Sequence, residues 1–310
     1  MNGKLSIIMP YLNEFEEPLN TIKSMRETSN IDNFEVIAID DFSKIPTDLT
    51  MFPNVKSIKN EKRMGVDWSR HYGVQLAEND NILLIDGHMV FNNDNWLDKM
   101  VDLIKNHPKS LYCTICLALG YGATIQNHKG KYFGANLKLV TDAEKNRPFR
   151  GVIEGQWAKE KPESDYKISS LMGANYFFSK KWFNYVGGLR GLLSWGSSEP
   201  KMSLCSYLAG GDCRITKDIE IGHLFRDNAP YSTNICDLAY NKLYILKTIF
   251  PPELESKLVG YMKKDTNFKR AIEMIEKNRD EIERDRKYYQ SIFTRSIYDF
   301  CSEFNIEIPK

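Results

Sequence analysis

The chain has 310 residues, of which 42% are hydrophobic and 27% charged, a composition that excludes wholesale disorder and a fibrous repeat. Its 42 basic and 41 acidic residues give a net charge of +1, which removes the strongest electrostatic argument for a dedicated nucleic-acid-binding protein. The length suits one large α/β domain, or a main domain of about 200 to 250 residues with an appendage.

The cysteines and the apolar runs bear on the compartment of the protein. Of the six cysteines, only Cys113 and Cys116 have a C-x-x-C spacing, and they lie in the apolar run 111–117. We therefore interpret them as buried free thiols rather than as a zinc or redox site. The apolar run that ends at Pro10 is too short for a signal sequence or a membrane span, and no other segment approaches the required apolar length. We predict a cytoplasmic protein in a reducing compartment.

The first hundred residues alternate short apolar runs with amphipathic stretches, which is typical of a parallel sheet covered by helices. We predict strands at 5–9, 35–39 and 82–85. Two helices between them are indicated by apolar residues at helical spacing, namely Phe15, Leu19, Ile22 and Met25 in the first and Trp68, Tyr72 and Leu76 in the second. Residues 1–100 are thus predicted to form a Rossmann-like nucleotide-binding half.

The pattern weakens into loops from about residue 100 to 165, and then predicts a strand at 168–179 and helices at 180–186 and 200–208. Beyond the Pro251-Pro252 pair the chain is charge-rich, and its apolar stripe consists of Ile272, Ile275, Ile282, Tyr289 and Phe293. We predict a catalytic domain at 1–250, whose acceptor and catalytic half is 101–250, followed by a helical C-terminal appendage at 251–310.

Asp86, Gly87 and His88 follow the third predicted strand, at the edge of the sheet where ligands collect. Positions i and i+2 of an extended backbone project to the same side, so the carboxylate and the imidazole can share one divalent cation. The tripeptide alone is also compatible with a simple turn. The distant His223 as a third ligand favours a metal site. Mixed oxygen and imidazole ligation suits Mn²⁺ better than Mg²⁺, which stays an alternative.

These residues belong to an ordered series of six motifs: 7–14 (IIMPYLNE), 39–43 (IDDFS), 63–65 (RMG), 86–88 (DGH), 195–199 (WGSSE) and 222–226 (GHLFR) with Pro230-Tyr231. In this series the chain resembles the GT-A class of glycosyltransferases. It is similar to the catalytic domain of polypeptide N-acetylgalactosaminyltransferases and to a related bacterial family, over roughly residues 4–245. The resemblance implies a GT-A fold and a metal-dependent glycosyltransferase that uses a nucleotide diphosphate donor, with a UDP-sugar as the first choice.

The resemblance also implies a role for each matching residue. Asp86, His88 and His223 would hold the metal, which would stabilise the departing diphosphate. The nucleotide-sugar site would comprise Pro10, Asn13, Glu14, Asp41 against the uracil ring, Arg63 beside the nucleotide, and Tyr231. Arg226 and Tyr231 would lie on a mobile loop over the diphosphate, and Trp195 would line the sugar pocket. The alternatives are a turn cap for Asp41, a surface cation for Arg63 and a core position for Trp195.

Glu199 is the candidate catalytic base. The N-acetylgalactosaminyltransferase pattern has Glu after Trp-Gly-Gly, whereas Ser198 stands at that position here and Glu199 follows it, as in the wider bacterial family. Inverting transfer needs a base that removes the proton of the acceptor hydroxyl. In a retaining enzyme Glu199 would instead bind a sugar hydroxyl, and a solvent-facing Glu at a helix start is a third interpretation. We favour inversion.

The sequence does not identify the acceptor. A glycan is the first choice because it is the commonest acceptor in the wider family. A hydroxylated base in modified viral DNA is the second, with phosphate contacts from Lys129, Lys131, Lys138, Lys180 and Lys181. Protein Ser, Thr or Tyr is the third.

Two other classes of protein are alternatives to a glycosyltransferase. A non-catalytic nucleotide-sugar-binding scaffold is possible on the same fold, but the complete metal-ligand trio argues against it. A nucleotidyltransferase would carry an early Gly-rich basic phosphate loop, which residues 10–14 do not provide. The chain has no lectin-like module and no membrane anchor, from which we expect a bacterial or viral cytosolic enzyme.

Overall fold

The computed structural model describes residues 3–92, 94–141, 151–162, 166–263 and 266–309. The strands are β1 (Leu5–Tyr11), β2 (Phe34–Asp40), β3 (Val55–Lys59), β4 (Asn81–Ile85), β5 (Met89–Phe91), β6 (Ser110–Leu119), β7 (Lys131–Tyr132), β8 (Ala135–Val140), β9 (Val152–Trp157), β10 (Asn175–Ser179) and β11 (Asp212–Leu224). The helices are α1 (Glu17–Glu27), α2 (Val66–Leu76), α3 (Trp96–Asn106), α4 (Lys180–Tyr185), α5 (Ser198–Leu208), α6 (Ile235–Ile249), α7 (Pro252–Met262), α8 (Phe268–Lys277), α9 (Arg279–Ile292) and α10 (Ile297–Glu303).

The main sheet is mixed and has the strand order β3-β2-β1-β4-β10-β6-β11-β5, with β7 paired to β6. Strands β1 to β4 are parallel, β10 runs antiparallel between β4 and β6, and β11 is parallel to β6. The carboxyl ends of β1, β2, β4, β6 and β11 therefore lie along one edge. Strands β8 and β9 form a separate antiparallel pair.

The central strands are apolar without alternation because helices cover both faces of the sheet. Every residue of β1 and of β6 is buried. On one face lies α3, whose buried side consists of Trp96, Leu97, Met100, Val101 and Ile104 at helical spacing. The three predicted strands of the first hundred residues and the α/β class are thereby confirmed.

Helix α2 turns a different face to the sheet from the predicted one. Trp68 is 38% exposed, whereas Arg70, Gly73 and Val74 are buried. The reason is the close approach of α2 to β1, since a Cβ at Gly73 would lie 2.3 Å from Cγ2 of Ile8. Only the glycine side of the helix fits there, and Arg70 is drawn into the interior with it.

The prediction of loops between residues 100 and 165 was wrong. That region contains the end of α3, the ten-residue strand β6 and the strands β7, β8 and β9. The predicted strand at 168–179 forms only over its last part, as β10, and β11 was not predicted at all. Strand β11 contains a register shift between Ile215 and Glu220, where polar residues interrupt its apolar pattern.

The C-terminal segment is helical, as predicted, and α8 and α9 pack on α6. Ile275, Ile282 and Tyr289, spaced by seven residues, are buried and confirm the predicted stripe. The domain boundary at residue 250 stays a prediction. All six cysteines are free and buried, which confirms the interpretation of Cys113 and Cys116. None of the described helices combines the length and apolarity that a membrane crossing requires.

Candidate active site

Two loops that leave the carboxyl edge of the sheet are tied together by Asn13. Its backbone N–H donates to Oγ of Ser43 at 2.8 Å, and its side-chain oxygen accepts the N–H of Lys44 at 3.0 Å. Asn13 has φ 55°, a left-handed conformation that asparagine tolerates better than most residues. The loop after β1 and the loop after β2 therefore hold one another in place beside the site.

Asp86, His88 and His223 come together at this edge. Asp86 and His88 follow β4, and His223 lies at the end of β11, where it pairs with Met89 of β5. One ligand atom from each of the three lies within 4.8 Å of the others. Nε2 of His223 is 3.1 Å from Nε2 of His88 and 3.4 Å from Oδ2 of Asp86. A carboxylate and two imidazoles aimed at one point are a donor set for a divalent transition-metal ion.

Asp86 and His223 have the protonation states that a bound cation requires. Burial raises the pKa of Asp86, but the hydrogen bond with His223 and the charge of Arg70 outweigh it and hold that pKa at about 2. Burial lowers the pKa of His223, despite its bond to Asp86. A metal ligand must be an ionised carboxylate or a neutral imidazole, and these two groups have those forms at neutral pH.

Glu14 stands behind His88 and contacts the loop that follows β11. Its Oε2 is 3.4 Å from Nδ1 of His88 and also forms an ion pair with the Arg226 guanidinium. Burial raises the pKa of Glu14, but its contacts with His88 and Arg226 outweigh that effect and lower the pKa overall. A carboxylate behind a ligating imidazole orients its ring. Glu14 is thus placed to orient the ring of His88, a predicted metal ligand, and the nucleotide contact predicted for Glu14 stays a prediction.

Arg70 joins the metal trio to Glu199. Its Nη2 donates to Oδ1 of Asp86 at 2.7 Å and its Nη1 to Oε1 of Glu199 at 3.3 Å. Further bonds go to the Gly173 carbonyl and the Tyr176 hydroxyl, and the side chain is buried. One guanidinium therefore fixes the relative positions of a predicted metal ligand and of the predicted base, which lies in the first turn of α5.

Asp41 organises the segment that carries Arg63. Its carboxylate accepts the backbone N–H groups of Met64 at 2.7 Å and Gly65 at 2.9 Å, and the side chain of Asn60 at 2.8 Å. Asp41 is 4% exposed. The predicted contact with uracil stays a prediction, and the bonds present give Asp41 a structural role as well.

Asp41, Arg63, Pro10, Trp195 and Tyr231 line a narrow cleft of about 50 Å³. The segment 225–234, which follows β11, lies across it. Nη2 of Arg63 donates to the carbonyl of Ser232 at 2.6 Å, and its guanidinium stacks 5.7 Å from the centre of the Tyr231 ring. Burial raises the pKa of Tyr231 to about 12. Ligand sites usually measure about 300 to 1,000 Å³, so a nucleotide can enter only if this segment shifts.

A larger cavity of about 480 Å³ adjoins the cleft. Arg70, Asp86, Trp195, Glu199 and His223 line it, together with Glu154, Gln156 and Trp157 of β9. Two of the predicted metal ligands, Asp86 and His223, and the predicted base thus open on one space, while His88 lines the adjoining cleft. Trp195 lines both. The volume is within the range of small-molecule sites.

An aromatic rim borders this cavity on the side of His223. The rings of Trp157 and Phe225 meet edge to face at 5.2 Å, as do those of Tyr132 and Trp157. Phe225 also stands edge to face with His223 at 4.6 Å and is 37% exposed. We call Tyr132, Trp157 and Phe225 the aromatic rim.

Two of the five lysines suggested for DNA contacts, Lys180 and Lys181, do not lie at this site. Lys180 donates its Nζ to the carbonyls of Gln75 and Ala77, and its backbone N–H to Asp80, at the amino end of β4. Asp86 follows the opposite end of the same strand. Lys180 and its neighbour Lys181 therefore lie away from the active-site mouth, and their suggested role there was wrong.

Several residues of the site were not predicted from the sequence. They are Arg70, Glu154, Gln156 and Trp157. Arg70 could have been found from Gly73, because a glycine in a helix often marks the side that approaches a sheet closely. Glu154 and Trp157 fall in a stretch that was taken for loops and gave no signal of their own.

Comparison with known proteins bears on this arrangement. The family model of glycosyl transferase family 2 matches residues 6–184. Human polypeptide N-acetylgalactosaminyltransferase 16 is 26% identical over 235 residues, which cover 73% of this chain and 41% of that protein. Human polypeptide N-acetylgalactosaminyltransferase 10 is 27% identical over 236 residues, covering 73% of this chain and 38% of that protein. The chain thus spans about two fifths of the length of the curated relatives it matches.

Two solved structures show the fold. The crystal structure of GalNAc-T7 with UDP, GalNAc and Mn²⁺ superimposes with a TM-score of 0.74 at 17% identity, over 97% of this chain and 57% of that one. The crystal structure of S. aureus TarS 1-349 with UDP-GlcNAc gives a TM-score of 0.52 at 13% identity, over 84% and 70%. The architecture described above is therefore the GT-A fold.

Proposed function

The chain belongs to glycosyl transferase family 2, and on that premise we propose that it transfers a sugar from a UDP-sugar to an acceptor hydroxyl. The observation that carries the proposal is the convergence of Asp86, His88 and His223, two of which, Asp86 and His223, line the cavity that Glu199 also lines. The relatives are glycosyltransferases by name, and one superimposed structure contains UDP with Mn²⁺ and another UDP-GlcNAc. They support UDP-sugars as the first donors to test.

We assign the cation to Asp86, His88 and His223, with Mn²⁺ first and Mg²⁺ second. A bound divalent ion would neutralise the negative charge that grows on the diphosphate as the sugar leaves. The protein's own contribution is to hold these ligands in place through Arg70 on Asp86 and Glu14 behind His88. Arg226 would place a positive charge over the diphosphate once its ion pair with Glu14 is replaced by a contact with the diphosphate.

Glu199 acts as the base in this proposal and transfer inverts the anomeric configuration. Its Oε1 is held by Arg70, while its Oε2 accepts a bond from the Ser198 hydroxyl at 3.3 Å and faces the cavity. An acceptor hydroxyl beside Oε2 would give up its proton as its oxygen attacks the anomeric carbon. Trp195, at the boundary of the cleft and the cavity, would hold the donor sugar between them.

We propose a saccharide as the acceptor. Sugar rings present one apolar face and many hydroxyls, and they pack on aromatic side chains. The aromatic rim supplies the apolar surface, and Glu154 and Gln156 supply polar groups a short way along β9. DNA is a weaker candidate because Lys180 and Lys181 lie at the far end of β4.

Donor and metal are tested together by calorimetry. UDP titrated into the protein should bind with Mn²⁺ present and much more weakly with a chelator, and UDP-GalNAc and UDP-GlcNAc should be compared next. Binding of UDP that is equally strong in chelator would contradict the metal site. Turnover is then followed as UDP release with a simple glycoside, a Ser/Thr peptide and a duplex containing 5-hydroxymethylcytosine.

The saccharide proposal predicts that only the glycoside accelerates UDP release. Trp157→Ala should raise the acceptor KM by about tenfold or more while the Kd of UDP changes little, because Trp157 borders the cavity but not the cleft. Acceleration by the peptide or the duplex alone would contradict a saccharide acceptor and leave the donor proposal standing.

A further inference from the structure

The segment that carries Trp195 has an unusual backbone. It comprises residues 186–197, between α4 and α5, and Glu199 follows it in the first turn of α5. Within it, Ser194 and Ser197 have φ of 38° and 71°, left-handed values that cost a residue with a side chain about 1 to 2 kcal/mol. Such conformations persist only where the surroundings fix them. Several of the contacts that fix this segment come from helices C-terminal to it.

Asn241 of α6 binds the backbone on both sides of Trp195. Its side-chain oxygen accepts the N–H of Leu193 at 2.7 Å, and its side-chain nitrogen donates to the carbonyls of Leu193 at 2.8 Å and Gly196 at 2.9 Å. Asn241 is completely buried. Its carboxamide thus uses both of its donors and one acceptor site on this short stretch.

A second contact from α6 lies one turn earlier. Oδ2 of Asp237 accepts the hydroxyl of Ser194 at 2.7 Å. The backbone of Ser194 in turn accepts the N–H of Asp67 at 3.2 Å and bridges to Gly65, beside the cleft. Helix α6 therefore holds the Trp195 segment against the start of α2, where the cleft meets the larger cavity.

Helix α9 also contacts the segment, near its N-terminal end, through Asp285. Oδ1 of Asp285 pairs with Nε of Arg190 at 3.1 Å, and its Oδ2 accepts the Tyr244 hydroxyl at 2.6 Å. Asp285 is 5% exposed, although it lies in the charge-rich part of the chain. A Cβ at Gly191 would lie 2.1 Å from the ring of Tyr244, so this part of the segment fits against α6 only as glycine.

We propose that Asn241 is a positioning residue for sugar transfer, which fixes Trp195 and, through the start of α5, Glu199. Asp285 secures the same segment from α9, which gives the C-terminal helices a part in forming the active site. The inference rests on the proposed function, because it assigns Trp195 to the donor sugar. It does not depend on the identity of the acceptor.

The test compares Asn241→Asp with Asn278→Asp. The first keeps the size of the side chain but replaces both donors by a carboxylate that faces two carbonyl oxygens. The second makes the same chemical change at a residue that donates to the Tyr240 hydroxyl at 3.2 Å and does not touch the Trp195 segment. Three quantities are measured for each: hydrogen exchange of peptides covering 187–197, the Kd of UDP and of UDP-GalNAc or UDP-GlcNAc with Mn²⁺, and kcat.

In Asn241→Asp we expect exchange at 187–197 to accelerate by about tenfold or more, with little change in α2 and β4. We also expect kcat to fall by about tenfold or more and the Kd of the UDP-sugar to rise, while the Kd of UDP stays within about threefold. Asn278→Asp should leave all three near wild type. A kcat near wild type despite faster exchange, or unchanged exchange, would overturn the proposal. Equal loss of UDP and UDP-sugar affinity would overturn it too, since that indicates general damage.

Ser194→Ala provides the same test if Asn241→Asp does not fold. It removes only the hydroxyl that donates to Asp237, and we expect the same pattern with smaller amplitude. If the wild-type protein transfers no sugar, the proposed function fails. Exchange at 187–197 and the ratio of UDP-sugar to UDP affinity then still decide whether Asn241 positions Trp195 for donor binding.

Discussion

The role of Glu199 as a base leads to a prediction whose size follows from the structure. In Glu199→Gln the side chain keeps its length and an oxygen that can still accept from Nη1 of Arg70, now 3.3 Å away. The negative charge is lost, and an amide nitrogen replaces Oε2, which accepts the Ser198 hydroxyl at 3.3 Å. A hydrogen bond to a charged group is worth about 1 kcal/mol more than a neutral one, so unfolding free energy should fall by about that amount. Folding and UDP binding should therefore be nearly unaffected.

The effect on turnover should be far larger than the effect on stability. A positioned base contributes about 10² to 10⁴ in rate, which corresponds to about 3 to 5 kcal/mol in the activation free energy. We expect kcat for UDP release with the acceptor to fall by that factor. The Kd of UDP with Mn²⁺, measured by calorimetry, should stay within about threefold of wild type.

Glu154→Gln is the matched control. Glu154 lines the same cavity, its side chain is 22% exposed against 17% for Glu199, and it too has a cationic partner, Lys242 at 2.5 Å. Its replacement should lower kcat by less than about tenfold. If Glu199→Gln keeps a third or more of the wild-type kcat, or if the two variants lose activity equally, Glu199 is not the base.

Three other predictions concern the metal site, the Arg70 fork and a buried acid. His223→Ala should abolish the Mn²⁺-dependent part of UDP binding in a calorimetric titration, because it leaves two ligands. Arg70→Met should lower the unfolding free energy by about 3 to 5 kcal/mol, because it leaves Asp86 and Glu199 without their shared cation, and denaturant unfolding measures this. Burial raises the pKa of Asp67 to about 7. Ionisation of this buried carboxyl therefore destabilises the folded protein, beginning above the ordinary pKa near 4 and increasing until about pH 7. Asp67→Asn should raise the thermal midpoint at pH 8 and leave it unchanged near pH 4.

Much of the fold of the first hundred residues could be predicted because its strands and helices follow from local sequence patterns. Short apolar runs separated by amphipathic stretches specify parallel strands, and the carboxyl ends of such strands share an edge. That rule alone places Asp41 and Asp86 near one another. His223 could not be placed at that edge in this way, because β11 alternates polar and apolar residues around an irregular register and was not predicted as a strand.

The remaining parts of the site depend on distant packing, which leaves little trace in the sequence. Arg70 is an ordinary basic residue of an amphipathic helix until Gly73 brings that helix against β1. Asn241 is one polar residue in an apolar helix, and only the structure reveals that its three bonds go to the Trp195 segment. Trp157 lies on a strand that pairs only with its neighbour β8 among the described residues, so neither spacing nor length suggested it.

The charge state of His223 yields a final prediction about metal binding. Burial lowers its pKa below the ordinary value near 6.5, so the ring is largely neutral at pH 6.5, where an ordinary histidine is half protonated. Only the neutral form of an imidazole ligates, so a neutral His223 contributes little to the protons released when a cation binds, and the other imidazole can release at most one. We therefore expect no more than one proton per Mn²⁺, measured by calorimetry in two buffers of different ionisation enthalpy. Release of more than one proton would mean that His223 is protonated in the free protein, and that its bond to Asp86 outweighs burial.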